Sequence, residues 1–250
     1  MNNAPRKFFF GGFIKMIALI DERIDNSSLL ALKNMGAELF LMPPAPYLQK
    51  GVASHPDMLL FCGFGKLFCH ERYYVDNKAL VDSILSLSGL ELVLSKEEIS
   101  EKYPHDVKFN AALVGNALIC NKKTVSKLIL DAANDNGYKI LDVPQGYAKC
   151  STAIISDNAI ITADKPIYSA CISSGIHALL ATPTGVELSG YDCGFIGGAT
   201  GNFADAVYFC GDISLHPDGK AINDFCEKRG RKVVCLSDKP LYDYGTIIFI

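Results

Sequence analysis

One stretch shows how the chain is organised: Gly146-Tyr147-Ala148-Lys149-Cys150-Ser151-Thr152-Ala153-Ile154-Ile155. It begins with polar and small residues and ends in an apolar, β-branched run. The layout recurs at intervals of about 40 to 53 residues, close to the spacing of units in propellers and arrays. The other four copies are Ser54-His55-Pro56-Asp57-Met58-Leu59-Leu60-Phe61, Val107-Lys108-Phe109-Asn110-Ala111-Ala112-Leu113-Val114, Gly190-Tyr191-Asp192-Cys193-Gly194-Phe195-Ile196-Gly197 and Leu241-Tyr242-Asp243-Tyr244-Gly245-Thr246-Ile247-Ile248.

Composition limits the classes of protein to consider. The 250 residues are 49% hydrophobic, which is enough for a large core, and the net charge is -3. No run of Lys or Arg forms a basic stripe, so nucleic acid is not an expected partner. No apolar stretch reaches the length of a membrane span. We therefore expect a globular protein with a small-molecule or protein ligand, of unknown oligomeric state.

The nine cysteines form no Cys-x-x-Cys pair, so the sequence gives no support for the usual zinc and thioredoxin-type sites. Most lie in apolar runs such as Leu118-Ile119-Cys120 and Val233-Val234-Cys235, where a thiol acts as a small hydrophobic side chain. Free thiols of this kind suit a reducing compartment, and we expect a cytoplasmic protein without a resident metal or cofactor.

Residues 1–15 do not resemble a secretory signal, because Phe8-Phe9-Phe10 is a short run with the wrong flanks. Residues 11–16 are instead encodable as a bacterial ribosome-binding sequence followed by an ATG. We expect Met16 to be the native start and residues 1–15 to be a translated leader or extension. The alternative is an additional strand.

Each copy opens a predicted strand–strand–helix–strand unit. The expected order from His55 onward is strands 57–62 and 67–70, helix 76–88 and strand 90–94; strands 110–114 and 117–120, helix 124–136 and strand 139–143; strands 151–155 and 159–162, helix 166–175 and strand 177–181; strands 193–197 and 205–210, helix 217–229 and strand 232–236. The Gly115-Asn116 pair between two short apolar runs indicates a hairpin.

The fifth unit is divided between the two ends of the sequence. Residues 242–250 provide one strand, and residues 16–42 read as strand, helix and strand. We therefore expect the segments 245–250 and 16–21 to pair, which would remove two exposed sheet edges. The predicted fold is an α/β-propeller of five ββαβ units with pseudo-fivefold symmetry, forming one domain over residues 16–250. An ordinary open α/β sheet is the alternative.

This layout resembles the pentein fold, which is shared by guanidine-modifying enzymes and by a non-enzymatic ribosome anti-association factor. Ile20-Asp21-Glu22-Arg23 and His55-Pro56-Asp57-Met58 are most similar to a bacterial branch of that fold without an assigned activity. In such a fold, the starts of the inner strands point at a central channel. The resemblance implies a channel lined by His55, Asp57, Lys108, Asn110, Lys149, Cys150, Ser151, Asp192, Cys193, Asp243 and Tyr244.

The resemblance also implies roles for some of these residues. The enzymes carry His-x-Asp at one strand start and a nucleophilic Cys two units onward, which gives His55, Asp57 and Cys150 here. Carboxylates that hold the guanidinium fork fall at Asp243 and Asp192. Against this, the enzymes place the Cys in the last unit, where this chain has Asp243-Tyr244-Gly245-Thr246.

Several of these residues also have simpler interpretations. Any one of nine cysteines can be structural, although Lys149 would lower the thiol pKa of Cys150, which we expect to be the most reactive thiol. Cys193 is the second candidate nucleophile. Asp192 and Asp243 precede glycines and suit turns. His216-Pro217-Asp218 suits a helix start.

Two functions remain open at this point. The first is a Cys-dependent hydrolase or transferase acting on a guanidine-like or amide-like small molecule bound in the channel. The second is a non-catalytic protein that uses the same scaffold to bind a ribosomal or other protein partner. A metal-dependent enzyme ranks third, since no local spacing of metal ligands supports it.

Overall fold

The computed structural model describes residues 16–250, which contain seventeen short strands, seven α-helices and one 3₁₀ helix at Ile213–Leu215. They form five three-stranded sheets and one two-stranded sheet. In each three-stranded sheet, the middle strand is antiparallel to one neighbour and parallel to the other. The protein is thus a mixed α/β protein built from a repeated unit. The hypothesis about residues 1–15 lies outside the described residues.

The first sheet contains both the earliest and the last strands. Asp25 caps its helix by accepting hydrogen bonds from the backbone N–H groups of Ser27 and Ser28. This first unit consists of β1 Ile17–Asp21, α1 Asn26–Asn34 and β2 Glu38–Met42. Its sheet is completed by β17 Ile248–Phe249 from the other end of the described chain. β17 pairs antiparallel with β1 through Ala18↔Phe249 and Leu19↔Ile248. The predicted pairing of the two terminal segments is confirmed.

The other four units follow in chain order. The first has α2 Pro56–Leu59, β3 Leu60–Gly63, β4 Lys66–His70, α3 Glu71–Asp76, α4 Lys78–Ser88 and β5 Glu91–Ser95. The second has β6 Ala112–Val114, β7 Ala117–Cys120, α5 Lys127–Asp135 and β8 Lys139–Asp142. The third has β9 Ala153–Ser156, β10 Ala159–Thr162, α6 Lys165–Ser173 and β11 His177–Leu180. The fourth has β13 Thr200–Phe203, β14 Ala206–Phe209, α7 Gly219–Glu227 and β15 Lys232–Cys235. The two-stranded sheet pairs β12 Val186–Glu187 with β16 Leu241–Tyr242.

The middle strands β7, β10 and β14 are buried along their whole length. Their continuous apolar sequences, such as Ala-Ile-Ile before Thr162, are typical of strands covered on both faces. The helices pack on one side of each sheet through their apolar stripes, for example Ile129 and Ala133 of α5. Polar residues lie in the segments that precede the first strand of each unit. No helix in residues 16–250 is long and apolar enough to cross a membrane.

Two predicted strands are placed incorrectly by the sequence. Residues 57–59 belong to the short helix α2, because Pro56 at its first position favours helix and Asp57 follows in the first turn. The first strand of the fourth unit is β13. The predicted strand 193–197 lies before it and is irregular backbone. β13 contains Gly201 because a Cβ there would lie 2.7 Å from the Ile247 side chain. Because of this shift, the turn before the first strand of the fourth unit contains Gly197 and Gly198 instead of Asp192 and Cys193.

Candidate active site

The turns before three first strands bring a thiol, a carboxyl and an amide together. Cys150 precedes β9, Asp57 lies in α2 just before β3, and Asn110 precedes β6. The Cys150 Sγ atom lies 3.2 Å from each carboxyl oxygen of Asp57 and 3.0 Å from Asn110 Nδ2. All three residues are buried. The site therefore joins residues that are 40 or more positions apart in the sequence.

Asn110 fixes the position of the thiol. Its Oδ1 accepts hydrogen bonds from the backbone N–H groups of Lys149, at 2.7 Å, and of Cys150, at 3.2 Å. Its Nδ2 donates to the Asp57 carbonyl oxygen at 3.2 Å as well as facing the sulfur. One buried amide thus satisfies backbone groups from two units and orients the Cys150 side chain between them.

His55 lies within reach of the thiol and is enclosed. One of its ring nitrogens, an Asp57 oxygen and the Cys150 sulfur are all within 4.8 Å of one another. Nδ1 is 3.8 Å from Asp243 Oδ1 and Nε2 is 3.8 Å from Asp21 Oδ2, and neither nitrogen has a hydrogen-bond partner among the described residues. Burial, with a contribution from the Arg23 charge, lowers the pKa of His55 to about 3. The imidazole is therefore neutral at pH 7.

The carboxylate of Asp243 is held by the backbone. Oδ2 accepts from the Phe195 N–H at 2.8 Å and Oδ1 from the Gly245 N–H at 2.9 Å. Burial, followed by repulsion from Asp57, raises the pKa of Asp243 to about 7. Gly198 makes room for this side chain, since a Cβ at Gly198 would lie 1.8 Å from Asp243 Oδ1. Asp243 thus fills the space that a side chain of the fourth unit would occupy.

Asp21 brings a third carboxylate close to His55. It lies at the end of β1 and is fully buried. Arg23 binds both of its oxygens in a forked arrangement, with Nε 2.9 Å from Oδ1. Arg23 also donates to the carbonyl oxygens of Lys50 and Gly51, each at 3.0 Å. The side chain of Arg23 thereby ties the segment that leads to His55 to the end of β1.

Thr246 links Lys149 to Asp57. Its Oγ1 accepts from Lys149 Nζ at 3.0 Å and lies 2.8 Å from Asp57 Oδ2 and 3.0 Å from the Gly197 carbonyl oxygen. Its backbone φ of 69° lies in the left-handed region, which a β-branched residue rarely adopts. Strained backbone of this kind is concentrated at functional sites. Burial lowers the pKa of Lys149, and the carboxylate of Asp57 partly offsets that shift.

The expected activation of Cys150 by Lys149 is wrong for the protein without a ligand. Burial, followed by the negative charges of Asp57 and Asp243, raises the pKa of the Cys150 thiol well above its usual value. The residue is only 2% exposed. The Lys149 ammonium bonds to Thr246 and, at 3.5 Å, to the carbonyl oxygen of Thr152. Cys150 is thus a protonated thiol among carboxyl groups.

The structure does not bring every predicted site residue into this cluster. Asp192 and Cys193 are exposed and line a separate surface depression with Tyr242. The backbone of Gly197 and Gly198 takes the place expected for them, because the first strand of that unit begins at Thr200.

The remaining predicted residues lie at the edge of the cluster or outside it. Lys108 is half-buried, and its carbonyl oxygen accepts from the Ser126 N–H. Ser151 is buried and lines a small cavity together with Cys193. Tyr244 packs in an apolar cluster, with its ring 4.6 Å from that of Tyr242. Of the predicted set, only His55, Asp57, Asn110, Lys149, Cys150 and Asp243 converge.

Three residues of the cluster were not selected as site residues from the sequence: Asp21, Arg23 and Thr246. Asp21 and Arg23 belong to the quoted Ile20-Asp21-Glu22-Arg23 motif, so a signal for them was present. Thr246 had no distinguishing pattern. His55, Asp57 and Cys150 also form a donor set of the kind that binds a metal ion, although every member has a role as a side chain without one.

Comparison with solved structures defines the class of fold. A mutant of DDAH from Pseudomonas aeruginosa complexed with citrulline matches with a TM-score of 0.52 and 10% identity, covering 90% of this chain and 92% of that one. Agmatine deiminase from C. jejuni matches with a TM-score of 0.51 and 10% identity, covering 93% of each chain. Both have the pentein fold, and so does this protein. At this level of identity, the similarity concerns the fold alone.

The chain belongs to the family of unknown function DUF6873, whose profile matches residues 19–248. That range includes every residue of the cluster around Cys150. No curated protein matches the sequence.

Proposed function

We propose that the protein is a cysteine-dependent hydrolase or transferase acting on a guanidine-like small molecule. The observation that carries the proposal is the convergence of Cys150, His55 and Asp57 from two different units, with their reactive atoms within 4.8 Å of one another. A nucleophile, a neutral base and a carboxylate in mutual reach are the components of nucleophilic acyl- and amidino-type transfer. The shared fold with DDAH and agmatine deiminase agrees with this chemistry.

The charges around the thiol favour a cationic substrate. Asp21 and Asp243 lie on either side of the neutral His55, and their carboxyl oxygens, with those of Asp57, are the acceptors that the N–H groups of a cation need in a buried site. A guanidinium is planar and presents paired N–H donors that match carboxylate oxygens. Its positive charge would also lower the pKa of the Cys150 thiol, which the carboxylates raise in the free protein. The substrate itself would thus complete the activation of the nucleophile.

The proposed reaction has two displacements. His55 takes the proton of the Cys150 thiol, and the sulfur adds to the guanidinium carbon. The adduct expels an amine, or ammonia, which leaves with the proton held by His55, and a thiouronium group remains on Cys150. Water then displaces the sulfur in a hydrolase, or an acceptor amine does so in a transferase. In the second displacement, the attacking water or amine supplies a proton that passes through His55 to the departing sulfur. Cys150 therefore ends as a thiol.

We further propose that residues 16–250 form one domain, in which the five three-stranded sheets are arranged with pseudo-fivefold symmetry around a channel. The equal strand order of these sheets supports this arrangement. The turns before β3, β6, β9, β13 and β17 would then all face the channel. Asp57, Asn110, Cys150, Gly198 and Thr246 occupy these five turns.

The test is a search for turnover with guanidines that differ in length and charge, including agmatine and dimethylarginine. Release of ammonia or amine is measured together with the mass of the intact protein. We expect Cys150→Ser and His55→Gln each to reduce turnover by about a thousandfold or more, because nucleophile and base act as a unit. Cys193→Ser is the matched control and should retain full turnover.

A thiouronium adduct on Cys150 of the wild-type protein, trapped by acid quenching during turnover and absent from the His55→Gln variant, would support the proposed step directly. If Cys150→Ser retains full turnover, the proposal fails. If guanidines bind without turnover or adduct, the protein is a non-catalytic binding protein. The burial of Cys150 and its raised pKa are the observations that favour this second function.

A further inference from the structure

A cavity lies beside the cluster and shares Asp57 and Lys149 with it, but it does not include Cys150 or His55. Its volume is about 150 Å³, which is enough for several water molecules and hence for a small organic ligand. Lys149, Asp57 and Thr246 line its polar end. His55, Cys150 and Asp243 are not among the residues that line it.

The walls of this cavity are apolar. They come from the first strands of the sheets and the turns before them, with side chains that include Leu60, Phe61, Leu113, Ile154 and Ile248. Asn202 of β13 adds one amide to the lining. A ligand that fills this space must therefore have an apolar body, because the walls provide few hydrogen-bond partners.

The polar end carries a positive charge without a direct counter-ion. Lys149 is half-buried, and no carboxylate oxygen of the described residues lies within 4.0 Å of its Nζ atom. Its hydrogen-bond acceptors are the neutral oxygens of Thr246, at 3.0 Å, and Thr152, at 3.5 Å. An ammonium group has three donors, so one remains for a ligand. Asp57 offsets the cost of burying this cation only in part, and an added carboxylate in direct contact would offset it further.

Asp57 does not provide the missing partner. Both of its carboxyl oxygens face the Cys150 sulfur, and one of them also faces Thr246 Oγ1. The residue is only 1% exposed, and its Oδ2 reaches Lys149 through the Thr246 hydroxyl instead of binding the ammonium directly. The cavity and the thiol site thus share Asp57 as a wall while offering opposite charges to a ligand.

We infer that this cavity is a binding site for a short-chain apolar monocarboxylate, whose carboxylate pairs with Lys149 and whose hydrocarbon part packs between Phe61, Leu113 and Ile248. The inference does not depend on the proposed reaction at Cys150. It assigns a ligand of opposite charge, on a different set of lining residues.

The experiment compares three probes of nearly equal shape by calorimetric titration of the wild-type protein: isovalerate, isovaleramide and 3-methylbutylamine. We expect saturable binding of isovalerate, binding of the amide at least about tenfold weaker, and weaker binding still of the amine, since a charged hydrogen bond is replaced by a neutral one or by repulsion. Equal affinity for acid and amide, or tighter binding of the amine, would overturn the inference. So would the absence of saturable binding of isovalerate below about 10 mM.

Variants locate the site. Lys149→Met should abolish the preference for the acid over the amide, whereas Lys108→Met, a half-buried lysine outside the lining, should leave it unchanged. Cys150→Ala should also bind isovalerate normally, which separates this result from any failure of the proposed reaction. A crystal structure with isovalerate should place its carboxylate against Lys149 Nζ; a carboxylate bound elsewhere would contradict the inference even if Lys149→Met folds poorly.

Discussion

Cys150 and Cys193 have similar local sequences, yet the structure gives them opposite environments. Each follows a charged residue and precedes a small one. Cys150 is 2% exposed and lies 3.2 Å from the carboxyl oxygens of Asp57, whereas Cys193 is exposed in a surface depression. The difference teaches that similar local sequences can give a thiol either an exposed position or a buried one among carboxyl groups. We expect the enclosed thiol to be protected from neutral reagents and to react preferentially with cations.

The largest expected effect is a reversal of thiol selectivity between two reagents. Iodoacetamide, which is neutral, should modify Cys193 on the order of a thousandfold faster than Cys150, because Cys150 needs local opening and has a raised pKa. Chloroacetamidine is cationic and should favour Cys150. Peptide mapping after limited labelling measures both ratios, with the exposed Cys235 as an internal reference. Equal ratios for the two reagents would remove the distinction between the two cysteines.

The pH dependence of stability should distinguish Asp243 from Asp192. Because the pKa of Asp243 is raised from 3.8 to about 7, the folded state holds a proton that the unfolded state loses between these values. Its contribution to stability is therefore present below pH 4 and lost as the pH rises through 7, by roughly 4 kcal/mol.

We expect the variant Asp243→Asn not to show this pH-dependent loss of stability. Relative to wild type, its free energy of unfolding should rise between pH 4 and pH 7, as measured by urea denaturation. The facing His55 titrates in both proteins, so the difference between them isolates Asp243. Asp192→Asn is the matched control for removing a carboxyl group at an exposed position. A parallel curve for Asp243→Asn would show that this carboxyl is not protonated in the folded protein.

The third effect concerns the amide that holds the Cys150 turn. Asn110→Ala leaves the backbone N–H groups of Lys149 and Cys150 without their acceptor, and we expect a loss of about 2 to 3 kcal/mol in the free energy of unfolding. Asp192→Ala, beside the exposed cysteine, should change it by less than about 0.5 kcal/mol. Chemical denaturation provides both values. Similar losses in the two variants would mean that the Cys150 turn is no more tightly held than the Cys193 segment.

The smallest expected effect concerns the influence of Asp57 on the pKa of the Cys150 thiol and on its preference for cations. Its negative charge contributes to the raised pKa of the Cys150 thiol, so Asp57→Asn should lower that pKa and speed labelling by iodoacetamide. The same change removes an attraction for the cation, and the preference for chloroacetamidine should fall by about tenfold. Labelling of Cys193 in the same samples provides the control. An unchanged preference would assign cation selection to Asp21 and Asp243 instead.

The repeated unit was predictable because it depends on local chemistry. Apolar runs in pairs, a turn such as Gly115-Asn116 and helices ending before glycine all follow from short-range preferences, and the order of strands in the sheets agrees with them. The pairing of residues 248–249 with β1 was predictable for the same reason, since each end of the sequence supplied only part of a unit.

The site was only partly predictable, because its residues are placed by long-range packing. In the fourth unit, the sequence pattern predicted the first strand at the wrong residues. Asp192-Cys193-Gly194 has the expected polar-to-small layout, while the true strand begins at Thr200 and contains Gly201 and Asn202, which suggest a turn. These residues form a strand through their pairing with β14, and the close approach of Ile247 explains why position 201 is a glycine. Thr246 likewise gains its position from Asp57 and Lys149, which are distant in sequence.

The pairing of β17 with β1 also has a consequence for how the site comes into being during synthesis. Asp21 is made near the start of the chain, whereas Asp243 and Thr246 belong to its last ten residues. The Cys150 thiol therefore emerges long before the carboxylate and hydroxyl that complete its surroundings. Closing the contact between Ala18 and Phe249 joins the most distant parts of the sequence, a slow kind of step in folding. A growing chain would thus carry an incomplete thiol site until Asp243 and Thr246 have been made, and assembly of the site requires segments that are far apart in the sequence to come together.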